Sequence, residues 1–360
     1  MAHRVFHVPA HLAYARQLVG DGFQPAESPT GASLTVAALT ALSSWDAFDV
    51  VHPHTVELAA ASDLVELARL SIERATPLVF TVHDLTPNIE SDERAFAEKT
   101  ALLLRVASAV ITLTNAAAVA LEARFGVARS AIHVVPHGNA VPLDLIPSAG
   151  SSGHGLAAFG ASRPNREYAT LVRAWRRLRA PRPPLRLLLR SVGAADEVRY
   201  RHVLAELRRL AEELPGLTLD IVTGMVPARE LVAWCRQSAV LVLPYRTITH
   251  SGQLELTRDV GLAVLAPDVP TLRAQLTDTG VRSCPLQWFT PGELDDPARF
   301  AARLAGGACG MVARGPAVNA WRQYRERERG RITAVHQAVY DEVTASARST
   351  QCHCPDPRWL

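Results

Sequence analysis

Short apolar segments alternate with longer stretches whose apolar residues recur every three or four positions through the first 147 residues. Continuous apolar runs are typical of buried strands, and the wider spacing is typical of helices with one buried face. The pattern predicts strands at residues 49–52, 77–82, 109–113 and 132–135, and helices at 55–74, 93–107 and 115–125. Strands and helices in alternation form parallel sheets through right-handed crossovers.

The alternation stops at residues 148–155, a stretch rich in glycine and serine, and then resumes. It predicts strands at 156–159, 185–190, 217–222, 240–243 and 263–266, helices at 168–178, 196–213, 228–237 and 251–260, and later helices at 297–304 and 317–346. The fold class is therefore α/β, with two Rossmann-like, doubly wound parallel-sheet domains that face a cleft. The predicted boundaries are a first domain at 1–147, a linker at 148–155, a second domain at 156–316, a helix at 317–346 and a tail at 347–360.

Composition narrows the class of protein. Hydrophobic residues make up 48% of the chain and charged residues 20%, which is the balance of a soluble globular protein. The apolar runs are too short to cross a bilayer, and the first ten residues do not resemble a secretory signal, so we expect a cytoplasmic protein. The net charge is only +3, and the arginines are interleaved with acidic residues, so we expect no nucleic-acid partner. The charge run at 325–331 is predicted to be a solvated face.

The cysteines do not indicate a disulfide framework, because the five of them are scattered along the chain and odd in number. Cys352, His353 and Cys354 lie close together near the end. A metal clip requires a second pair of ligands at matching spacing, and none follows. We therefore predict no metal site there.

Polar residues follow the predicted strands of the first domain, where ligands bind in open parallel sheets. His54, His83, Asn115 and His137 each lie just after a strand. A single histidine at a strand end is usually a helix cap or makes a loop hydrogen bond. Where several lie on one edge, a ligand site is about as well supported as these structural roles. Both interpretations stay open from the sequence.

The segment from Gly160 to Arg166 carries the clearest chemistry of the second domain. Gly160 closes a buried strand and allows the backbone to approach a ligand closely. Arg163 and Arg166 precede a helix, and arginines beside a helix N-terminus bind anions such as a diphosphate. The alternative is a pair of exposed loop arginines. A P-loop, a GxGxxG fingerprint, a G-x-S-x-G elbow and a zinc-spaced histidine pair are all missing from the sequence.

An ordered series of blocks resembles the family 4 glycosyltransferases, which have the two-domain GT-B fold. The resemblance covers roughly residues 45–345 and lies in the blocks at 81–84, 109–114, 132–139, 159–175, 227–246, 249–270 and 335–340. The last block resembles the closing helix, which in this fold crosses back to the first domain. No single block is specific, but their order and spacing are.

The resemblance implies a retaining glycosyltransferase that moves a sugar from a nucleotide diphosphate sugar, with no essential metal and no cofactor. Gly160, Arg163 and Arg166 match the family's diphosphate-binding block, and Ser251 and Gly252 match the segment whose backbone amides meet phosphate or sugar. The arginines would neutralise the leaving diphosphate in place of a metal.

The resemblance also suggests further roles. His83 matches a histidine near the transferred sugar and is the predicted catalytic residue. Gly224 and Glu255 are the predicted nucleotide-binding residues, although a solvated face explains Glu255 equally well. On the acceptor side we expect the three other strand-end residues, which are His54, Asn115 and His137.

The chain departs from the family in two places. Many members have a glycine-rich loop after the first strand, whereas this chain has residues 7–11, which contain no glycine. The paired glutamates of the donor domain are also absent, because Ile248 and Leu256 fall near their places. Two alternatives therefore stay open. One is a protein that binds a nucleotide sugar or a partner without transfer, and the other is a GT-B nucleotide-sugar epimerase.

The expected partners are the nucleotide-sugar donor and a small-molecule, glycan or lipid-linked acceptor, whose hydroxyl or amine takes the sugar. The arginine-rich helix at 171–179 leaves a peripheral contact with anionic lipid as an alternative. Its apolar residues Leu171, Val172, Trp175 and Leu178 favour packing on the sheet instead.

Overall fold

The structure is a computed structural model that describes residues 2–10, 12–26, 35–57, 59–148, 151–191, 198, 200–278, 284–306 and 318–350. These residues form two compact units. The first unit runs to Gly138 and includes the chain from Arg327 onward, and the second unit is Asn139–Glu326. The predicted tail and the Cys352–Cys354 cluster lie outside the described residues, apart from the tail's first four positions.

Among its described residues the first unit contains six parallel strands. They are β1 (His3–Val8), β2 (Phe23–Pro25), β3 (Val50–Pro53), β4 (Val79–Val82), β5 (Ala109–Thr112) and β6 (Ile132–Val134). The strands pair in the orders β2-β1-β3 and β4-β5-β6, and a single parallel bridge between Val51 and Leu78 links the two sets. The helices of this unit are Ala13–Gln17, Val36–Thr40, Ala61–Glu73, Glu93–Val106 and Asn115–Phe125.

The second unit contains one six-stranded parallel sheet in the order β12-β11-β10-β7-β8-β9. Its strands are β7 (Leu156–Ala161), β8 (Leu185–Ser191), β9 (Leu217–Thr223), β10 (Val240–Val242), β11 (Ala263–Pro267) and β12 (Leu286–Phe289). Its helices are Tyr168–Arg176, Arg201–Glu213, Ala228–Cys235, Gly252–Val260, Pro270–Thr277 and Pro297–Gly306. Both units therefore have the predicted doubly wound architecture.

Inner strands of a parallel sheet are buried when helices cover both of its faces. Every residue of β4, β5, β10 and β11 is buried. In the second unit, Leu171, Val172 and Trp175 of helix Tyr168–Arg176 are fully buried in the main core. The apolar face of that helix therefore packs inside the unit, which rules it out as a lipid-binding face.

The long helix Val318–Thr350 belongs to the second unit as far as Glu326 and to the first from Arg327 onward. Beyond Arg327 its Ile332, Val339, Tyr340 and Val343 join the core of the first unit. No described helix is long and apolar enough to cross a membrane.

The division between the units differs from the predicted boundary. Residues 139–148, assigned from the sequence to the first domain and the start of the linker, belong to the second unit. Ser151, within the predicted linker, is buried and donates to the backbone carbonyls of Arg236 and Ser238. Hydrogen bonds of this kind fix the segment to the second unit, although it is rich in glycine and serine.

Two further expectations from the sequence are wrong. His7 does not follow the first strand but lies within β1, because the strand extends to Val8. The charge run at 325–331 is not a solvated face throughout, because Arg325 and Glu328 are each only 1% exposed. Arg325 pairs inside the second unit with Asp259 and Glu255.

Candidate functional site

The six strands of the first unit are called the first sheet, and the sheet of the second unit is called the second sheet. The carboxyl edge of the first sheet carries a cluster of six of the chain's 13 histidines. The cluster consists of His7, His52, His54, His83, His137 and His336, arranged around Tyr14 and Tyr340. His7 is in β1, His52 is in β3 and His54 follows it, and His83 follows β4. The register of β1 and β3 pairs His7 with His52, which explains why residues so distant in sequence meet.

Hydrogen bonds join three of these rings in a row. His7 Nδ1 lies 2.9 Å from His54 Nε2, and His54 Nδ1 lies 3.4 Å from His83 Nε2. His7 and His54 are buried, whereas His83 is half-buried. The three rings therefore lead from two buried positions to a half-buried one.

Two tyrosines hold the remaining buried rings. His336 Nδ1 donates to the carbonyl of Ile332, so its Nε2 accepts from the hydroxyl of Tyr14, 3.2 Å away. His52 lies between the hydroxyls of Tyr340 and Thr81, at 2.8 and 2.7 Å. Side chains held at both ends in this way have little rotational freedom.

Burial keeps these histidines neutral. Desolvation lowers the pKa of His7 to about 3 and that of His336 to about 4. It also lowers the pKa of His83 to about 3, with the neighbouring His137 and His336 acting in the same direction. Burial and the adjacent rings also lower the pKa values of His52 and His54 well below the ordinary value. Near neutral pH these five rings are thus uncharged donors and acceptors.

The loop after His83 is fixed by a buried carboxylate. One oxygen of Glu57 accepts from the backbone N–H groups of Asn88, Ile89 and Glu90, at 2.6–3.0 Å. The next helix begins only at Glu93 and is capped by Asp92. His83 is therefore not a helix cap, which removes one of the two local explanations of this histidine.

The other residues predicted on the acceptor side occupy different surroundings. His54 is inside the cluster, and the ring of His137 lies 5.4 Å from that of Tyr14. Asn115 is exposed at the start of helix Asn115–Phe125, where its side-chain oxygen accepts from Arg129. The structure thus brings together His54, His83 and His137, and it gives Asn115 a contact of its own.

One group among the described residues has the composition of a metal site. His7, His52 and His54 each offer one ring nitrogen, and the three nitrogens lie within 4.8 Å of one another. Neutral imidazoles are suitable ligands for transition metals. Both nitrogens of His52, however, already have hydroxyl partners. The arrangement is therefore that of a hydrogen-bond network, and a metal would have to displace Tyr340 or Thr81.

At the corresponding edge of the second sheet, Gly160 admits an arginine against the backbone. Gly160 has φ +128°, and a Cβ there would lie 1.9 Å from Arg166 Nη1 and 2.6 Å from Gln253 Nε2. Arg166 donates to the carbonyl of Ala161 and to the hydroxyl of Tyr168, each at 3.2 Å. Only glycine fits this position, and the groups that approach its backbone closely are the side chains of Arg166 and Gln253. The close approach of a ligand stays a prediction.

A cavity of about 190 Å³ opens beside this glycine and is lined by three arginines. Arg163 and Arg166 come from the loop after β7, and Arg190 comes from β8. The apolar part of the lining includes Leu188 and Val222. The cavity therefore offers positive charge beside an apolar wall.

The N-terminus of helix Gly252–Val260 lies at the same cavity. Ser251 caps the helix by accepting from the backbone N–H of Leu254, and Gly252 is exposed with open space around it. Gln253 lines the cavity and bonds both the hydroxyl of Tyr245 and the carbonyl of Phe159. Helix N-termini carry a partial positive charge, which adds to that of the arginines.

Of the two residues predicted to bind the nucleotide, only Gly224 lies beside the cavity. Gly224 is exposed with φ +79°, and the next residues, Met225 and Val226, line the cavity. Glu255 is 3% exposed, and its carboxylate accepts from Arg258, Arg325 and Gln275.

The burial and the internal contacts of Glu255 argue against its predicted role in nucleotide binding. The two arginines outweigh its burial and hold the pKa of its carboxyl below the ordinary range. Burial and the Glu255 carboxylate raise the pKa of the neighbouring Asp259, which Arg325 only partly offsets. The carboxylate of Glu255 is committed to internal ion pairs that stabilise the second unit.

Several residues of the two edges are missing from the sites predicted from the sequence. His7 was placed after its strand, and Tyr14, Arg190, Gln253 and His336 were not singled out as site residues. Arg190 ends an apolar run at a strand's carboxyl end, which is the same signal that identified His83. His336 and Tyr14 meet only through tertiary packing, so no local pattern predicts them.

The sequence of the first unit matches a known family. Residues 7–139 match the model described as Glycosyltransferase Family 4. No curated protein matches the sequence of the chain.

Solved structures match almost the whole fold at low sequence identity. A structure of Anabaena Alr3699/HepE with UDP and glucose has a TM-score of 0.59 at 16% identity, covering 96% of this chain and 91% of that one. Sucrose-phosphate synthase from Thermosynechococcus elongatus has a TM-score of 0.53 at 15% identity, with coverages of 92% and 83%. The UDP-forming trehalose-phosphate synthase from Burkholderia vietnamiensis has a TM-score of 0.54 at 15% identity, with coverages of 87% and 74%. The predicted fold, a GT-B-like pair of parallel-sheet domains with a long C-terminal helix, is confirmed.

Proposed function

We propose that this chain, whose residues 7–139 match the model of Glycosyltransferase Family 4, transfers a sugar from a UDP-sugar donor to an acceptor hydroxyl or amine with retention at the anomeric carbon. UDP is the nucleotide in the Anabaena complex and in the name of the trehalose-phosphate synthase. Glucose, which the Anabaena structure contains, is the first sugar to test.

The observation that carries the proposal is the arginine-lined cavity of the second unit. Arg163, Arg166 and Arg190 line it, and helix Gly252–Val260 begins beside it. Guanidinium groups bind diphosphate oxygens through paired, charge-assisted hydrogen bonds. The apolar wall formed by Leu188 and Val222 offers a surface for the nucleoside.

The arginines would also act in the chemical step. Cleavage of the bond between sugar and diphosphate leaves negative charge on the diphosphate, and fixed positive groups stabilise that charge in the transition state. Retention follows if the acceptor attacks on the face that the diphosphate leaves, with a leaving phosphate oxygen taking the acceptor proton. This reaction requires no metal step.

The first unit would supply the acceptor side and a group acting on the transferred sugar. His83 is the candidate for that group, because it is the half-buried end of a row of buried rings. As a neutral imidazole it would act by hydrogen bonding, without carrying a charge of its own. His54 and His137 are within the same cluster.

Calorimetry with UDP, GDP and dTDP, and then with UDP-glucose, tests donor binding. We expect UDP to bind most tightly of the three nucleotides. The control variant Arg209→Ala should bind UDP as tightly as the wild-type protein does, because Arg209 is exposed and pairs with Glu213. Absence of binding by all three nucleotides would refute the donor site.

Product analysis then separates the three kinds of function. The proposed transferase releases UDP and yields an α-linked sugar from an α-linked donor. Release of an altered nucleotide sugar without an acceptor would identify an epimerase instead. Tight binding with neither UDP release nor transfer across an acceptor panel would identify a non-catalytic binder.

A further inference from the structure

The three hydrogen-bonded histidines of the first unit lie across adjacent strands. His7 is in β1, His54 follows β3 and His83 follows β4, so the row runs along the carboxyl edge of the sheet. The two contacts in the row join His7 Nδ1 to His54 Nε2 and His54 Nδ1 to His83 Nε2. His54, the middle ring of the row, therefore uses a different nitrogen for each neighbour.

Neutral imidazoles in such a row have only two ordered arrangements. A neutral ring carries one N–H and one bare nitrogen, so each contact needs a donor on one side and an acceptor on the other. Either every proton points from His7 toward His83, or every proton points the opposite way. The tautomer of one ring thus determines the tautomers of the other two.

The buried end of the row selects between the two arrangements. His7 is 3% exposed, and its Nε2 has no hydrogen-bond partner among the described residues. Buried N–H groups without an acceptor are rarer in proteins than buried acceptors without a donor. Nε2 of His7 is therefore the bare nitrogen, and the proton of His7 is on Nδ1.

We propose that His7 and His54 are positioning residues that fix His83 as the Nδ1–H tautomer, so that His83 presents a hydrogen-bond donor at the carboxyl edge of the sheet. His7 Nδ1–H donates to His54 Nε2, and His54 Nδ1–H donates to His83 Nε2. The proton of His83 is then on Nδ1, a nitrogen without a partner among the described residues.

A fixed donor suits an oxygen that gains negative charge. Preorganised donors stabilise such charge in a transition state without reorganising at the moment of reaction. A mixture of the two tautomers would instead present a bare nitrogen for part of the time, which repels the same oxygen. The catalytic consequence rests on the proposed function, but the tautomer itself is a property of the protein without ligands.

Nitrogen NMR of the ¹⁵N-histidine-labelled protein without ligands tests the tautomer directly. The signals of His83 are assigned by their loss in His83→Gln. We expect His83 in the wild-type protein to carry its proton on Nδ1. A proton on Nε2 would overturn the proposal, whatever the activity of the enzyme.

Variants of His54 test whether the row sets that tautomer. In His54→Phe the donor to His83 is lost, and we expect His83 to populate both tautomers while kcat falls at least tenfold and the KM for the donor stays constant. In His54→Asn the amide nitrogen takes the place of Nδ1, so most of the tautomer preference and of kcat should return. His7→Phe removes the first donor and should have an intermediate effect.

The controls separate a positioning role from a structural one. His202→Phe changes an exposed histidine of the second unit and should leave both the His83 signals and kcat unchanged. If His54→Phe retains a single Nδ1–H tautomer in His83, or if His54→Asn loses as much activity as His54→Phe, the proposal fails. A confirmed tautomer in a protein that transfers no sugar would overturn the proposed function alone.

Discussion

The carboxyl edge of the first sheet carries buried rings that burial keeps uncharged, whereas the same edge of the second sheet carries half-buried arginines around a cavity. The two sheets have related topologies, and in both the edge residues follow adjacent parallel strands. The fold therefore determines where the side chains converge, and the residue type determines whether the site binds an anion or offers neutral hydrogen bonds.

Loss of the charged groups from the second edge should have the largest effect. The double variant Arg163→Ala/Arg166→Ala loses charge-assisted hydrogen bonds of about 1.5–3 kcal/mol each, so the Kd for UDP should rise at least about a hundredfold. Calorimetry gives the Kd, and thermal melting checks the fold, because Arg166 also bonds Ala161 and Tyr168.

Arg166→Lys is the matched control for this prediction. It keeps the charge and should lose less affinity than Arg166→Ala, although lysine cannot form a paired contact. If the double variant binds UDP as tightly as the wild-type protein does, the second edge is not an anion site, and the two edges do not differ in anion binding as proposed.

At the first edge the expected effect is on the rate and not on donor affinity. His83→Ala should lower kcat roughly a hundredfold, because each loss of about 1.4 kcal/mol of transition-state stabilisation costs a factor of ten. The melting temperature should stay nearly constant, since His83 caps no helix. Steady-state kinetics and thermal melting provide the two measurements, and earlier melting with an unchanged kcat would make His83 a structural residue.

How far the sequence predicts these edges depends on the range of the interactions. Hydrophobic periodicity predicts the strand that precedes His83 and the strand that contains Arg190, because each strand is a local apolar run. The ion pairs of Arg325 with Glu255 and Asp259 join residues about 70 positions apart, so a solvated helix face was the reasonable but incorrect expectation. The burial that keeps His7 neutral likewise arises only from tertiary packing.

Acid should distinguish the edges through stability. The pKa of His7 is lowered to about 3 in the folded state, so between about pH 6.5 and pH 3 the unfolded chain binds a proton that the folded chain does not. The free energy of unfolding should therefore decrease as the pH is lowered through this window, by up to about 1.4 kcal/mol per pH unit for each such histidine. Hydrogen exchange at pH 7 and pH 5.5, corrected for intrinsic rates, should show the loss in β1 and β3 more than in β7 and β8.

His7→Phe sharpens this prediction, because phenylalanine occupies a similar volume and does not titrate. The acid sensitivity of β1 and β3 should be smaller in this variant and unchanged in His202→Phe. Equal acid sensitivity in His7→Phe and the wild-type protein would mean that the buried rings do not control the stability of the first unit.

The smallest expected effect is that of metal removal, and it tests whether the first edge is a hydrogen-bond network. His7, His52 and His54 offer nitrogens within 4.8 Å of one another, yet His52 already bonds Tyr340 and Thr81. A metal would break one of these bonds, so prolonged dialysis against a chelator should change neither kcat nor the melting temperature. Elemental analysis of the protein before and after dialysis provides the control. A bound transition metal whose removal lowers the melting temperature, and whose loss is reproduced by His52→Ala, would show that the rings converge on an ion. Both edges would then carry positive charge, the first through a bound metal ion and the second through arginine side chains.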